Sequence, residues 1–168
     1  MHETDRVANL LGATALVVTD VMLSSTVRAA PVSPSGAAAL VVLRTSPGLS
    51  VTELGRRVGL TQSAAARMVD SLGDLVERVP TGGRSVSVRL TGAGAEAADA
   101  VLSSRGEPLA DLLAALDEHQ LETLGELLGL LLGRLYERVG DSDLMCRLCD
   151  RATCTTGASC PVGEAARR

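Results

Sequence analysis

The chain has 168 residues, enough for one well-buried core and too few for two ordinary domains. All 16 basic residues are arginine, the only aromatic residue is Tyr136, and the net charge of −4 excludes a protein that coats polyanions indiscriminately. The charge is uneven: from Ser46 to Thr91 six arginines face four acids, a balance of +2, whereas from Gly92 to Met145 three arginines face eleven acids, a balance of −8.

Residues Thr4 to about Arg28 carry Val7, Leu10, Val17 and Val21 on one side, which predicts a long amphipathic helix. Its apolar run, Leu10 to Leu23, contains Thr14, Thr19 and Asp20, is shorter than the ~20 residues a membrane span needs, and lacks a basic leader and cleavage site. A cytoplasmic protein with no membrane partner is expected, and in that compartment disulfides are seldom structural. Pro31 and Pro34 break the helix, and Ser33 or Ser35 can cap a second one through Leu40 to Leu43. Ser50-Val51-Thr52-Glu53 has the pattern of a capping box, in which the glutamate reaches back to the cap amide, opening a short third helix that ends at Gly59. Thr61 caps a fourth, Gln62 to about Ser71, with Ala65, Met68, Val69 and Leu72 facing inward.

Leu75 to Val79 and Val86 to Leu90 alternate in polarity around Pro80-Thr81-Gly82-Gly83, predicting a β-hairpin with Arg84 near its tip. Thr91 can cap a long helix that Gly106 and Pro108 should kink. A last helix from about Asp117 carries Leu121, Leu124, Leu128, Leu131 and Leu135 at 3-4 spacing, with Leu127, Leu130 and Leu132 widening the stripe until it needs two neighbours. His119, in its first turn, has the setting of a solvated residue.

Two short helices joined by Gly59-Leu60-Thr61 and followed by a hairpin predict a mainly α winged helix-turn-helix with a small β-hairpin wing, whose second helix can enter a major groove N-terminus first. In that pose Gln62 and Ser63 reach base edges, Arg67 reaches a guanine or a phosphate, Arg84 enters a minor groove, and Arg56 and Arg57 hold phosphates. Gln62 and Ser63 equally suit solvated first-turn positions.

Here the sequence resembles the multiple-antibiotic-resistance-regulator (MarR) family of winged-helix repressors, from about Asp5 to Arg138. The resemblance is carried by Leu49 to Leu54, Leu60-Thr61-Gln62-Ser63, Arg67-Met68-Val69-Asp70, Leu75-Val76-Glu77-Arg78, and Gly83-Arg84-Ser85 through Arg89-Leu90-Thr91. It departs at Gly82, where the family often has a wing aspartate, and between Leu72 and Leu75, which is about two residues short. The resemblance implies a homodimer built from the first and last helices, bound to a pseudo-palindromic double-stranded DNA operator. The implied organisation is a dimerisation helix at 1–30, the winged helix-turn-helix at 31–91, further dimerisation helices at 92–145, and a cysteine tail at 146–168.

All four cysteines fall in that tail, as Cys146-x2-Cys149-x4-Cys154-x5-Cys160 followed by Pro161. Such spacing suits a tetrathiolate metal site or an iron-sulfur cluster, with Cys146 and Cys149 on one side of the last helix's end. Arg147 and Arg151 favour thiolate, and Thr153, Thr155, Thr156 and Ser159 can hydrogen-bond sulfur. The tail is similar to the cluster loop of superoxide-response regulators of the mercury-resistance-regulator class; first and last spacings and the trailing proline match, while the middle spacing is four rather than one. A 2Fe-2S or 4Fe-4S cluster is the leading expectation, with structural zinc and a metal-free thiol/disulfide switch as alternatives. No enzymatic chemistry is implied. The expected protein is a repressor whose cluster senses redox state, nitric oxide or iron. The rivals are a ligand-responsive repressor with a zinc tail and a thiol or electron-transfer protein. The end after Cys160 is expected to be frayed.

Overall fold

A computed structural model describes residues 2–82 and 85–168. Helix α1 runs His2–Ala29 and stops ahead of Pro31; α2, Pro34–Thr45, starts with proline at its first position, and the Ser33 hydroxyl accepts from the Gly36 amide at 3.1 Å. Every residue from Gly36 to Leu43 is buried, so α2 is the central helix, apolar all round because all its faces are covered. A short strand β1, Leu49–Ser50, precedes α3, Val51–Val58, and α4, Gln62–Ser71. Strands β2, Val76–Gly82, and β3, Ser85–Leu90, complete an antiparallel sheet of order β1-β3-β2, with Leu49 opposite Val88 and Val76 opposite Leu90.

The hairpin differs from expectation at its turn: Pro80, Thr81 and Gly82 continue β2, Pro80 pairs with Val86, and the register slips between Pro80 and Gly82. Proline is tolerated there because β2 is an edge strand and needs no outward ladder bond. β1 had no sequence signal; two residues are too few to show alternation.

Helix α5, Gly92–Leu113, is capped by Thr91, whose hydroxyl accepts from the Gly94 amide at 3.1 Å and donates to the Asp74 carbonyl at 2.7 Å. It runs without interruption through Gly106 and Pro108. Helix α6, Glu118–Val139, opens on a reciprocal capping box between Asp117 and Gln120 and closes on Gly140 at φ 68°. The expected box at Ser50 is only half formed: Ser50 Oγ accepts from the Glu53 amide at 3.1 Å, but the Glu53 carboxylate turns to Arg56 and Arg57 instead.

The core joins α2, α3, α4, β3 and α5 around Leu40, Leu43, Leu54, Val88 and Val101. α1 lies along α5. In contrast, α6 has no buried residue, and its Leu127 and Leu130 are 52% and 69% exposed. By length and composition alone α1 is also sufficient to cross a membrane, a longer apolar element than the run Leu10–Leu23 suggested.

Beyond Gly140 come three short helices, α7 (Ser142–Met145), α8 (Arg151–Thr155) and α9 (Pro161–Ala165). Two expectations are corrected here. Cys146 and Cys149 do not extend the last long helix, because the left-handed Gly140 ends it and Asp141 starts a new turn. The stretch after Cys160 is not frayed: Val162 is buried and α9 packs on α6.

Candidate functional sites: the reading helix and the cysteine tail

The turn between α3 and α4 is built on two glycines. Gly59 takes φ 78°, which a side chain disfavours, and a Cβ on Gly55 would sit 2.6 Å from the Cβ of Ala65, so the helices cross in near-backbone contact. Thr61 caps α4 through the Ala64 amide, and Ala65, Met68, Val69 and Leu72 are buried as the apolar pattern requires. Gln62, Ser63 and Arg67 are consequently exposed on one face of α4. Among the described residues Arg67 has no side-chain hydrogen bond or ion pair. Arg78 on β2 donates to Asp70 at 2.7 Å, fixing the wing against α4. Arg84 lies outside the described residues.

Arg56 and Arg57 are engaged within the molecule. Arg56 donates to Glu53 at 2.9 and 2.8 Å, to Asp141 at 2.7 Å and to Asp143 at 2.7 Å. Arg57 donates to Glu53 at 2.8 Å and to Ser46 Oγ at 3.1 Å, with Asp143 at 3.6 Å. Hydrogen bonds from Arg56 and then Arg57 hold the Glu53 carboxyl down to about 2, from an ordinary 4.5. A depressed carboxyl stabilises the fold above its unfolded value and loses that contribution as pH falls through the folded one. Acid titration followed by NMR at the Glu53 carboxyl is expected to find it ionised at pH 3.5 and protonated only as pH approaches 2; a midpoint near 4.5 would contradict the pairing.

The four cysteines are free thiols, each half-buried, and the tail brings them together. All four line a cavity of about 360 Å³ closed by α2 and α3, and all four also line a second, of about 340 Å³, closed by α1, α5 and α6. Neighbouring thiols act on one another in chain order. Cys149 lowers Cys146; contact with Cys146 and burial push Cys149 far up; burial and then the charge of Cys149 push Cys154 up to about 11. Grouped thiolates repel, and burial adds to the effect, so Cys149 and Cys154 are the two that resist losing their protons. Cys160 Sγ also accepts from the Gly163 amide at 3.4 Å, a backbone-to-sulfur bond of the kind that tunes metal-bound sulfur.

Among the described residues, however, no three His, Cys, Asp or Glu side chains are drawn tightly enough around one point to hold an ion as they stand. The sulfurs border a space. Three hydroxyls expected to serve them are committed locally, Thr153 to Asp150, Thr155 to the Arg151 carbonyl and Thr156 to the Ala152 carbonyl. Of the expected cations, Arg151 lines the first cavity and Arg147 the second, where its guanidinium donates to the Leu144 carbonyl. A cation that spacing did not reveal is Arg105 of α5: it borders the second cavity with its Nε buried and, among the described residues, without a hydrogen-bond partner, close enough to Cys149 to act on its charge. His119 is exposed in the first turn of α6.

No protein-family model matches the chain, and no curated protein matches it. Solved structures do. The YusO protein from Bacillus subtilis is 24% identical, with 77% of this chain and 94% of that one covered and a TM-score of 0.69. A MarR family protein from Bacillus stearothermophilus is 22% identical, with 83% and 97% covered and a TM-score of 0.69. MepR, a transcription regulator of the Staphylococcus aureus multidrug efflux pump MepA, is 17% identical, with 76% and 97% covered and a TM-score of 0.68. At these identities the likeness is one of fold.

Proposed function

From the premise that this chain has the winged-helix fold of MarR-type transcription regulators, we propose that it is a homodimeric DNA-binding repressor of the cytoplasm whose cysteine tail carries an iron-sulfur cluster that senses redox state, nitric oxide or iron. The observation that carries the sensing part is the convergence of four thiols on two shared cavities, one against α2 and α3 and the other against α1, α5 and α6. A zinc ion draws four sulfurs to within about 2.3 Å of one point. The Cys146-x2-Cys149 and Cys154-x5-Cys160-Pro161 spacings, which the tail shares with cluster loops, favour the larger inorganic centre over a single ion.

Dimerisation is supported by the apolar surface of α1 and α6, where Leu10, Leu16, Val17, Leu127 and Leu130 are all exposed. Withdrawing one such side chain fully from water is worth about 1.5–3 kcal/mol, which makes a second copy of the same helices the natural cover. Two α4 helices held about 34–36 Å apart would then read successive major-groove half-sites, with Gln62 and Ser63 at base edges and Arg67 on guanine or phosphate. Arg67→Ala is expected to weaken operator binding by about 1–3 kcal/mol, read by fluorescence anisotropy at fixed salt; unchanged affinity would remove Arg67 from the interface.

The deciding experiment is anaerobic purification followed by a visible spectrum, iron, sulfide and zinc analysis, and titration of a genomic duplex library at two salt concentrations. A brown dimer with iron and sulfide and salt-dependent duplex binding is expected. A colourless protein with one zinc would replace the sensor by a structural pin, and a metal-free monomer would end the proposal.

A further inference from the structure

The tail touches the reading head at α3. Asp141 caps α7, accepting from the Leu144 amide at 3.0 Å, and with Asp143 it reaches across to Arg56 on α3 at 2.7 Å each. One turn on, Leu144 lies against the helix-turn-helix turn, 3.0 Å from where a Cβ on Gly59 would stand. Leu148, between Cys146 and Cys149, packs on the winged-helix core. The segment that leads into the first cysteine pair is therefore seated on α3 and the turn that ends it.

The charges make this seat an obstacle to phosphate. Arg56 and Arg57 supply +2, while Glu53, Asp141 and Asp143 supply −3, so the patch stands at −1; without the two tail aspartates it would stand at +1. A guanidinium already bonded to three carboxylates has little left for an approaching phosphate. The side chains of Arg56, Asp141 and Asp143 are 46%, 28% and 31% exposed, and half-solvated pairs of this kind are individually weak and can open.

We propose that Asp141–Leu144 is an autoinhibitory clasp: docked, it withholds Arg56 and Arg57 from the DNA backbone, and a rearrangement of the cysteine centre next to it in the chain undocks it and releases both arginines. This inference rests on the DNA-binding reading above. It gives the tail a route to operator affinity inside one subunit, in addition to any effect on dimer spacing.

The test is the full-length D141N/D143N double variant, in which asparagine keeps the cap of α7 but removes both charges. Duplex affinity is expected to rise about 5- to 10-fold, with a salt dependence steeper by one to two phosphate contacts, at unchanged metal content, visible spectrum and dimer mass. Stripping or oxidising the cysteine centre of the parent should change its duplex affinity, and the variant's affinity should no longer follow that treatment. Amide exchange across residues 51–59 should quicken in the variant with no DNA present, a readout independent of the operator. Unchanged or lower affinity with an unchanged salt slope, or unaltered exchange, overturns the clasp. Normal exchange changes in a protein that binds no duplex in either form would instead overturn the DNA reading, and with it the regulatory role of the clasp.

Discussion

Cys149→Ser is expected to abolish metal retention: iron or zinc recovered with the purified protein should fall below about a tenth of the parent's, since a serine hydroxyl does not replace a soft thiolate ligand. Cys149 is the strategic position because it stands between Cys146 and Cys154 in the chain of interacting thiols. The exchange of sulfur for oxygen barely changes volume at a half-buried site, so far-UV circular dichroism and dimer mass should stay as in the parent. Operator binding should also stop responding to oxidant. A variant that keeps its metal, its colour and its oxidant response would refute the tetrathiolate centre, whereas loss of helicity would assign Cys149 to the core. Arg105→Gln offers a gentler companion: its effect should be seen in the stability of the loaded centre and leave the number of ligands unchanged.

Gly94→Ala should be the most destabilising single methyl addition in the winged helix. A Cβ at Gly94 runs directly into the carbonyl oxygen of Leu75 and lies 2.9 Å from its carbonyl carbon, with Leu90 Cδ2 at 3.3 Å. These neighbours are mostly backbone, and the same carbonyl accepts the Thr91 amide at 3.1 Å, so no side chain can rotate to make room. The start of α5 would have to move off the turn at Gly73–Leu75. Overpacking of this kind costs about 3 kcal/mol or more. For a chain of this size that is about 6–12 °C in melting temperature. Gly106→Ala is the internal control: it lies in the same helix with nothing within 4 Å, and alanine there should stabilise by about 0.5–1 kcal/mol. Denaturant unfolding of the three proteins checks both signs. A loss under 1 kcal/mol at Gly94 would mean that α5 and the turn are not packed this closely.

The elements that sequence revealed share one property, that their signal lies within a few residues. Ser50, Thr61 and Thr91 were recognisable as caps, and Ser33 as one of two candidates with Ser35, because a cap acts on an amide three positions away, and these four do so. The inward face of α4 followed from the helical period. Where local rules competed, sequence reasoning failed. Glu53 had the spacing to close a capping box, but two arginines on the same helix offered its carboxylate stronger, charge-assisted partners. Pro80 and Gly82 had turn chemistry, but the edge of a sheet accommodates both. Cys146 and Cys149 had a spacing that suits a helix end, but a left-handed glycine had already ended the helix.

By itself the sequence determined the six helices up to Val139 but not the three short ones of the tail, which faces of those six are apolar, that a wing follows a helix-turn-helix, and that four thiols share one short tail. These follow from periodicity, capping and spacing, all properties of nearby residues. Only the tertiary structure decided what those parts meet. Arg56 finds Asp141 and Asp143 at separations of 85 and 87 residues, Arg105 arrives beside Cys149 from another helix, and Gly94 is needed because a distant carbonyl occupies the space of a side chain. Charge and close contact act through space, and the chain's order does not record which distant groups folding will set side by side.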